Sequence, residues 1–419
     1  MCRTHVQYGD RALSVGFGSI DCHGPYRTWR LKNIRMHICD LTTLYIDGGE
    51  GGVNTYLTEK ARYLADHGGP YSHTIVVPGA TNTTHRLFGS TVYSIRSPRF
   101  VYNPHHRIIT HVRQLKQLLM DIKSDIIEVD CSYLLGHWAR TVMSKRRVPL
   151  VGFYHTHLPS FYARPLTQRY GSMVSQRIEA LAWIYVAYCM KPLDKVLAAS
   201  NDVYKRLVEN TNKDVEQVPL GVNLNLFRAQ RCDVNPPGGN RPVILYVGRL
   251  SQEKDLCVLF EAFRLLNRQG VYQLRIVGDG PLRAKTEKFV RTTPHMRYEG
   301  LVPYGQRLAE IYATADVLAL PSRNETFGLT VLEALASGIP VVAINQGGPS
   351  NLLHPGVGTL AAPGDPVDFA DKLASVLADT TMRRRCRTYV EQHFSWEKTF
   401  ATLLNIYENL QKTARPVLS

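Results

Sequence analysis

Two glutamates separated by seven residues, Glu325 and Glu333, carry the strongest chemical signal in this 419-residue chain. A Pro-Ser pair precedes them, and the apolar run around Glu333 ends at Gly338. This pattern predicts a loop and then a helix that begins near Gly328, with Glu333 one turn inside. The first N–H groups of such a helix can bind a phosphate, and a carboxylate beside them can bind a vicinal diol. Phosphate next to a diol describes a nucleotide, which leaves Glu325 for another group, such as a sugar.

Cations follow an apolar segment in the same half of the chain. Residues 243–247 are all apolar, and Gly248, Arg249 and, after a short loop, Lys254 come next. The carboxyl ends of parallel strands form the usual ligand-binding edge of an open α/β sheet, so we expect both cations at that edge. A second strand-and-glycine unit ends at Gly278, where a missing side chain lets the backbone approach a neighbour or a ligand closely.

These segments, in this order, resemble the donor-binding half of the retaining GT-B glycosyltransferases with a Glu-x7-Glu motif. That family includes lipid mannosyltransferases and sulfolipid synthases, and the resemblance is closest over residues 241–364. It implies that Arg249 and Lys254 neutralise the diphosphate of a nucleoside-diphosphate sugar, while Glu325 binds the sugar and Glu333 the ribose. The other donor-binding positions that the resemblance implies in this half are Gly248, Gly278, Val302, Phe327, Gly328 and Leu329.

The N-terminal half contains a glycine-dense loop, residues 47–54, between a predicted strand at 36–41 and a helix from about 55 to 67. It does not satisfy the G-x-G-x-x-G dinucleotide pattern. The resemblance implies that this loop, with Gly51 and Gly52, faces the donor phosphates; a surface hairpin is the alternative interpretation. His155 follows an apolar strand, and the resemblance places it near the donor sugar. Neither His155 nor His157 stands at a metal-ligand spacing, so we expect no metal site.

Composition and order of elements predict the fold class. With 44% hydrophobic and 20% charged residues the chain is typical of a globular protein, and alternating strands and helices predict two doubly wound Rossmann-like α/β domains. The resemblance implies the GT-B arrangement, in which the domains face each other across a cleft and the last helix crosses back to the first domain. The predicted parts are an unassigned extension at 1–33, an acceptor-side domain at 34–222, a linker at 223–242, a nucleotide-sugar-binding domain at 243–394 and a crossover helix at 395–412.

The net charge of +15 is unevenly distributed, and residues 85–123 hold seven Lys or Arg against one acidic residue. Apolar residues there predict a helix with its cations on the opposite face: Ile108, Ile109, Val112, Leu115, Leu119 and Ile122. Such a face is either simply solvated or contacts an anionic membrane surface. Eight scattered cysteines and no apparent secretory signal predict a cytoplasmic protein, peripheral to the inner face of a membrane if the second interpretation holds. No aromatic-basic module indicates nucleic-acid binding.

The predicted activity is transfer of a hexosyl group from a UDP- or GDP-sugar to a lipid or glycan acceptor. The resemblance implies retention at the anomeric carbon and front-face attack assisted by the leaving phosphate. No Asp-x-Asp motif occurs in the chain, which favours cations rather than a metal at the diphosphate, and no cofactor is expected. Two alternatives stay open at this point, a nucleotide-sugar epimerase of similar architecture and a non-catalytic nucleotide-sugar-binding protein.

Overall fold

The computed structural model describes residues 36–45, 51–67, 69–100, 103–130, 134–144, 146–155, 159, 172–228 and 241–414. Outside the described residues lie the N-terminal extension 1–33, residues 47–50 of the glycine-dense loop, His157 and the Pro-Gly-rich part of the linker.

The first domain is built on an eight-stranded sheet. Its order is β10-β9-β8-β7-β1-β2-β4-β3, and all neighbours are parallel except β3 with β4. The strands are β1 Met36–Leu41, β2 Tyr71–Gly79, β3 Thr83–Leu87, β4 Ser90–Arg96, β7 Ile126–Asp130, β8 Leu150–Tyr154, β9 Lys195–Ala198 and β10 Val215–Gln217; the short hairpin of β5 Arg99–Phe100 and β6 Asn103–Arg107 lies apart from the sheet.

Helices cover both faces of this sheet, and every residue of its central strand β8, Leu150–Tyr154, is buried. They are α1 Gly52–Asp66, α2 Val112–Ile122, α3 Leu135–Met143, α4 Ser172–Met190 and α5 Asn201–Asn210. One buried cluster joins the α1 side of the sheet to the second domain, and another lies under α2, α3 and α4. The direction in which successive strands are added to this sheet reverses at β1, which has β2 on one side and β7 on the other. The sheet of the second domain has a reversal of the same kind.

The helix predicted to begin near Ile108 starts later, so that prediction is wrong in its boundary. Ile109 is fully buried but lies in the extended segment after β6, and the helix begins at Val112. A single buried isoleucine fits either conformation, so the apolar spacing overestimated the helix. The cations of residues 85–123 are therefore divided among β3, β4, the β5–β6 hairpin and α2, rather than gathered on one helix face.

The second domain contains a six-stranded, fully parallel sheet with the order β13-β12-β11-β14-β15-β16. Its strands are β11 Val243–Val247, β12 Gln273–Val277, β13 Met296–Gly300, β14 Val317–Leu320, β15 Val341–Ile344 and β16 Gly358–Ala361. Its helices are α6 Leu256–Leu266, α7 Arg283–Thr292, α8 Gln306–Ala313, α9 Leu329–Ala336, α10 Pro349–Leu352, α11 Pro366–Ala378 and α12 Met382–His393. The order reverses at β11, so the crevice beyond the ends of β11 and β14 is the expected ligand site.

The last helix, α13 Trp396–Ala414, returns to the first domain as predicted. The Ser395 hydroxyl accepts a hydrogen bond from the Lys398 N–H at 3.2 Å, which satisfies one of the unpaired donors at the start of the helix. Phe400 packs against the rings of Tyr56 and Tyr63 on α1. Two doubly wound α/β sheets joined by a crossover helix confirm the predicted fold class.

Candidate active site

The loops after β11 and β12 are in direct backbone contact. A Cβ atom on Gly278 would lie only 1.9 Å from the carbonyl oxygen of Gly248, and the φ of Gly278 is 135°. The Gly248 N–H donates to the carbonyl of Val277 at 3.0 Å. No other residue type fits this approach, so the predicted strand-and-glycine units serve first to bring two loops together at the sheet edge.

Lys254 and Glu325 meet at this edge. Their side chains form a direct ion pair between the loop after β11 and the loop after β14, and each side chain is 18% exposed. A second ion pair, Asp255 with Arg323 at 2.8 Å, joins the same two loops. Two charged links between neighbouring loops hold the Glu325 carboxylate and the Lys254 ammonium in fixed positions, partly open to solvent.

Backbone contacts also fix the position of the loop around Glu325. The Gly348 N–H donates to the carbonyl of Glu325 at 2.8 Å, and a Cβ on Gly347 would lie 2.7 Å from the same oxygen. On the other side, the Tyr246 hydroxyl donates to the carbonyl of Arg249 at 2.9 Å, which fixes the turn that carries the second predicted cation. Rigid backbone at both loops is what a preorganised anion site requires.

Two helices from different domains begin at the same place. A Cβ on Gly52, the first residue of α1, would lie 3.4 Å from Cδ1 of Leu329, the first residue of α9. The preceding glycines, Gly51 and Gly328, have φ angles of 98° and 104°, which glycine adopts without strain. The positive ends of both helix dipoles and their unpaired N–H groups therefore meet at the cleft, a suitable environment for a diphosphate.

Glu333 lies one turn inside α9 and is buried. Its carboxylate accepts a hydrogen bond from the Tyr312 hydroxyl at 2.8 Å. Burial raises the pKa of Glu333 to about 7, against the smaller opposing effect of that hydrogen bond. Near neutral pH the group therefore exists in both protonation states, and a ligand that donates hydrogen bonds to it favours the ionised one. The aromatic partner Tyr312 was not identified from the sequence.

His155 is at the opposite wall, directly after β8. Its carbonyl oxygen accepts a hydrogen bond from the Thr326 hydroxyl at 2.9 Å, so the Glu-x7-Glu loop reaches it across the cleft. The ring stacks on Phe153 with centroids 4.3 Å apart. Burial and then the charge of Lys60 lower the pKa of His155 to about 3. Part of the residue stays exposed, and water there weakens this shift without reversing it, so the imidazole is neutral at physiological pH.

The other predicted positions differ in what they can present to a ligand. Phe327 is buried and its ring faces Phe394, so only its backbone can line the cleft. Val302 is half-buried in the loop after β13. Ser200, at the start of α5, donates to the carbonyl of Thr326 at 2.7 Å, a contact between domains that the sequence did not predict. In the described part of the chain no three His, Cys, Asp or Glu side chains form a metal-binding group.

Known protein families match both halves of this chain. Residues 230–393 match the family model described as "Glycosyl transferases group 1", and residues 50–226 match "Glycosyltransferase Family 4". The sucrose-phosphate synthase of Thermosynechococcus elongatus superimposes with a TM-score of 0.73 over 90% of this chain and 100% of that one, at 22% identity. The chain belongs to the GT-B glycosyltransferases. Its two halves correspond to the two family models, as the sequence resemblance implied.

Two curated relatives of this chain are sugar transferases by name. The sulfoquinovosyl transferase SQD2 of Arabidopsis thaliana is 27% identical over 81% of this chain and 65% of its own length. A GDP-mannose-dependent alpha-mannosyltransferase of Mycobacterium tuberculosis is 31% identical over 58% of this chain and 61% of its own length. The chain thus spans somewhat less than two thirds of these relatives.

Proposed function

We propose that this GT-B protein is a retaining, metal-independent hexosyltransferase that uses a UDP- or GDP-sugar and a lipid or glycan acceptor. The Lys254–Glu325 pair beside the start of α9, where the strand order of the second sheet reverses, is the observation that carries the proposal. It supplies one cation for a diphosphate and one carboxylate for sugar hydroxyls at adjacent points, as a nucleotide-sugar donor requires.

The demanding step is departure of the nucleoside diphosphate as an oxocarbenium-like sugar forms. Arg249, Lys254 and the N–H groups at the starts of α1 and α9 would stabilise the charge that develops on the leaving phosphate. Glu325 would bind the sugar hydroxyls, and Glu333 the ribose. The low pKa of His155 keeps its imidazole neutral, so the ring would add no positive charge beside the donor sugar. The neutral ring would exchange hydrogen bonds with that sugar.

Retention is proposed to proceed by attack on the same face that the phosphate leaves. A double-displacement route would need a carboxylate nucleophile at the anomeric carbon, whereas the two motif carboxylates are engaged elsewhere. Glu325 pairs with Lys254, and Glu333 is buried against Tyr312. In the front-face route the acceptor oxygen bonds to the anomeric carbon, the bond to the phosphate oxygen breaks, and the acceptor proton passes to the departing phosphate.

Calorimetry and product analysis together test the proposal. GDP-mannose, UDP-glucose and ADP-glucose are titrated into the EDTA-treated protein, and the anomeric configuration of any product is read by NMR. We expect binding of a GDP- or UDP-sugar, turnover without metal and a product with the donor's configuration. An inverted product would contradict retention. An epimerised donor without acceptor would support the epimerase alternative, and binding without turnover a non-catalytic protein.

Donor affinity is predicted to depend on pH through Glu333. A ribose diol donates hydrogen bonds, so the ionised carboxylate binds it best, and that form declines as the pH falls through about 7. Between pH 8 and pH 6 the dissociation constant of a nucleotide sugar is expected to rise about tenfold. The nucleotide sugar has no phosphate that titrates in this range. Glu333→Gln should abolish this dependence and Glu325→Gln should keep it; a flat wild-type profile would exclude Glu333 from ribose binding.

An exposed apolar stripe on α4 supports a membrane partner. Leu181 and Ile184 are about two-thirds exposed, at 65% and 66%, and Tyr188 is also exposed on this face, with Lys191 over its ring. Aromatic and aliphatic side chains next to a cation are suited to the surface of an anionic bilayer. No helix in the described part of the chain combines the length and the apolar character needed to cross a bilayer.

Vesicle flotation examines this contact. We expect the double variant Leu181→Ser and Ile184→Ser to lose several-fold in binding to vesicles with 30% anionic lipid, since apolar area no longer enters the interface. The control Val271→Ser removes an exposed apolar residue from the second domain and should bind like the wild type. Equal flotation of the double variant and the wild type would contradict the α4 contact.

A further inference from the structure

A buried carboxylate of the first domain, Glu59 on α1, bonds to three separate parts of the chain. The residue is only 4% exposed. Its Oε1 accepts a hydrogen bond from the Asn223 amide of the linker at 3.1 Å and one from the Tyr304 hydroxyl of the second domain at 3.3 Å. On its own helix, the Arg62 guanidinium donates to the same oxygen at 3.0 Å. Glu59 therefore joins α1, the linker and the second domain at one point.

Tyr304 connects this point to the proposed nucleoside end of the donor site. It lies in the loop between β13 and α8, two residues after Val302. The helix that follows, α8, carries Tyr312, whose hydroxyl donates to Glu333. Burial, and then the charges of Glu59 and Glu333, raise the pKa of the Tyr304 phenol, so its hydroxyl stays protonated and donates to Glu59.

The linker packs against the same region of the second domain. The ring of Phe227 is fully buried and lies edge-on to the rings of Tyr304 and Tyr312, with centroids 5.7 Å and 5.6 Å away. Arg387 on α12 donates to the carbonyl of Leu224 and to that of the last residue of α9, both at 3.0 Å. The linker is thus fixed to the helix that carries the Glu-x7-Glu motif, and Glu59 binds this assembly from the first domain.

We propose that Glu59 is a positioning residue for the nucleoside part of the donor, which it does not itself contact. It holds the loop of Val302 through Tyr304 and the linker through Asn223. A loop that is already fixed in its bound position loses less freedom when the ligand binds, which raises affinity. The proposal rests on the proposed function. It concerns the nucleoside alone, since the diphosphate would be bound elsewhere, by Lys254 and the start of α9.

This division of the donor makes the proposal testable by calorimetry with UDP, GDP and inorganic pyrophosphate. Tyr304→Phe removes the hydroxyl but keeps the ring that packs on Phe227. We expect its dissociation constant for the preferred nucleoside diphosphate to rise about tenfold, while binding of pyrophosphate stays unchanged. The KM for the nucleotide sugar should rise with it, and kcat should not change. Glu59→Gln, a weaker acceptor, should show the same selectivity with a smaller loss.

Combining the two substitutions should cost less than the product of their separate effects, because they break the same contact. Tyr71→Phe is the matched control. Its hydroxyl donates to Glu408 at 2.8 Å, another tyrosine–glutamate bond, which joins the first domain to the crossover helix away from the nucleoside loop. This variant should bind nucleotides like the wild type.

Two outcomes for Tyr304→Phe would overturn the proposal. Equal weakening of nucleotide and pyrophosphate binding would indicate a general loss of structure, and nucleotide binding as tight as in the wild type would show that the contact has no effect. If the wild type bound neither UDP nor GDP, the proposed function would fail, and this inference with it.

Discussion

Replacing Lys254 with alanine is expected to lower turnover of the nucleotide-sugar donor by about 10²- to 10³-fold, the usual effect of removing one group that stabilises developing negative charge. The ammonium is held beside Glu325 and near the start of α9. Its loss also leaves the Glu325 carboxylate without its cation. The negative charge of that carboxylate then repels the diphosphate. Steady-state kinetics with saturating donor measure the effect as a change in kcat.

A double-mutant cycle separates these two causes. If the Lys254–Glu325 contact is part of the active arrangement, Lys254→Ala combined with Glu325→Gln costs less than the product of the two single effects, because the residues are in contact. Lys285→Ala is the control, since this lysine is exposed on α7, where it donates to Cys257 Sγ. Wild-type kcat in Lys254→Ala would remove the lysine from the proposed mechanism.

The largest expected effect on stability comes from Lys60, which is almost fully buried between two carboxylates. Its ammonium lies 2.7 Å from Asp40 Oδ1 and 3.4 Å from Glu128 Oε1, and it donates to the Tyr407 hydroxyl at 3.0 Å. Lys60→Met leaves two buried carboxylates without their cation. The free energy of unfolding of the first domain should fall by about 3–5 kcal/mol.

Urea unfolding followed by tryptophan fluorescence measures this change in the first domain. Trp138 and Trp183 lie in the first domain, and residues 243–394 contain no tryptophan. Lys412→Met, an exposed substitution on α13, should unfold like the wild type. Adding Asp40→Asn and Glu128→Gln to Lys60→Met should recover part of the loss, since uncharged partners need no cation. A midpoint for Lys60→Met equal to that of the wild type would refute the assignment.

Elements with strong local signals could be predicted from the sequence. The residues after Lys254 predict a helix around Leu256 to Leu266, and α6 has these bounds. The helix around Glu333 was expected to begin near Gly328 and to end before Gly338, and α9 runs from Leu329 to Ala336. In both cases an apolar helical period is flanked by residues that start or stop a helix, so neighbouring residues alone determine the outcome.

Contacts between distant residues were beyond such reasoning. Lys60 was placed on a predicted helix, but its spacing does not tell that it points inward between Asp40 and Glu128 rather than to solvent. The contact of Asp130 with the Thr42 hydroxyl is likewise invisible in the sequence, because the two residues are 88 positions apart and meet only through neighbouring strands. Similarly, α1 starts at Gly52 rather than near Thr55, at a point that lies close to Leu329 of the second domain.

The crossover helix has a consequence for the order in which the protein is made. Tyr407 donates a hydrogen bond to Glu128, a residue that precedes it by 279 positions. A ribosome therefore releases nearly the whole second domain before the polar centre of the first one is complete. Domains usually fold as units while they emerge, with the earlier one first. Here Glu128 and Lys60 lack their contacts with Tyr407 until the crossover helix is made, so the polar centre of the first domain is completed only after synthesis of the second.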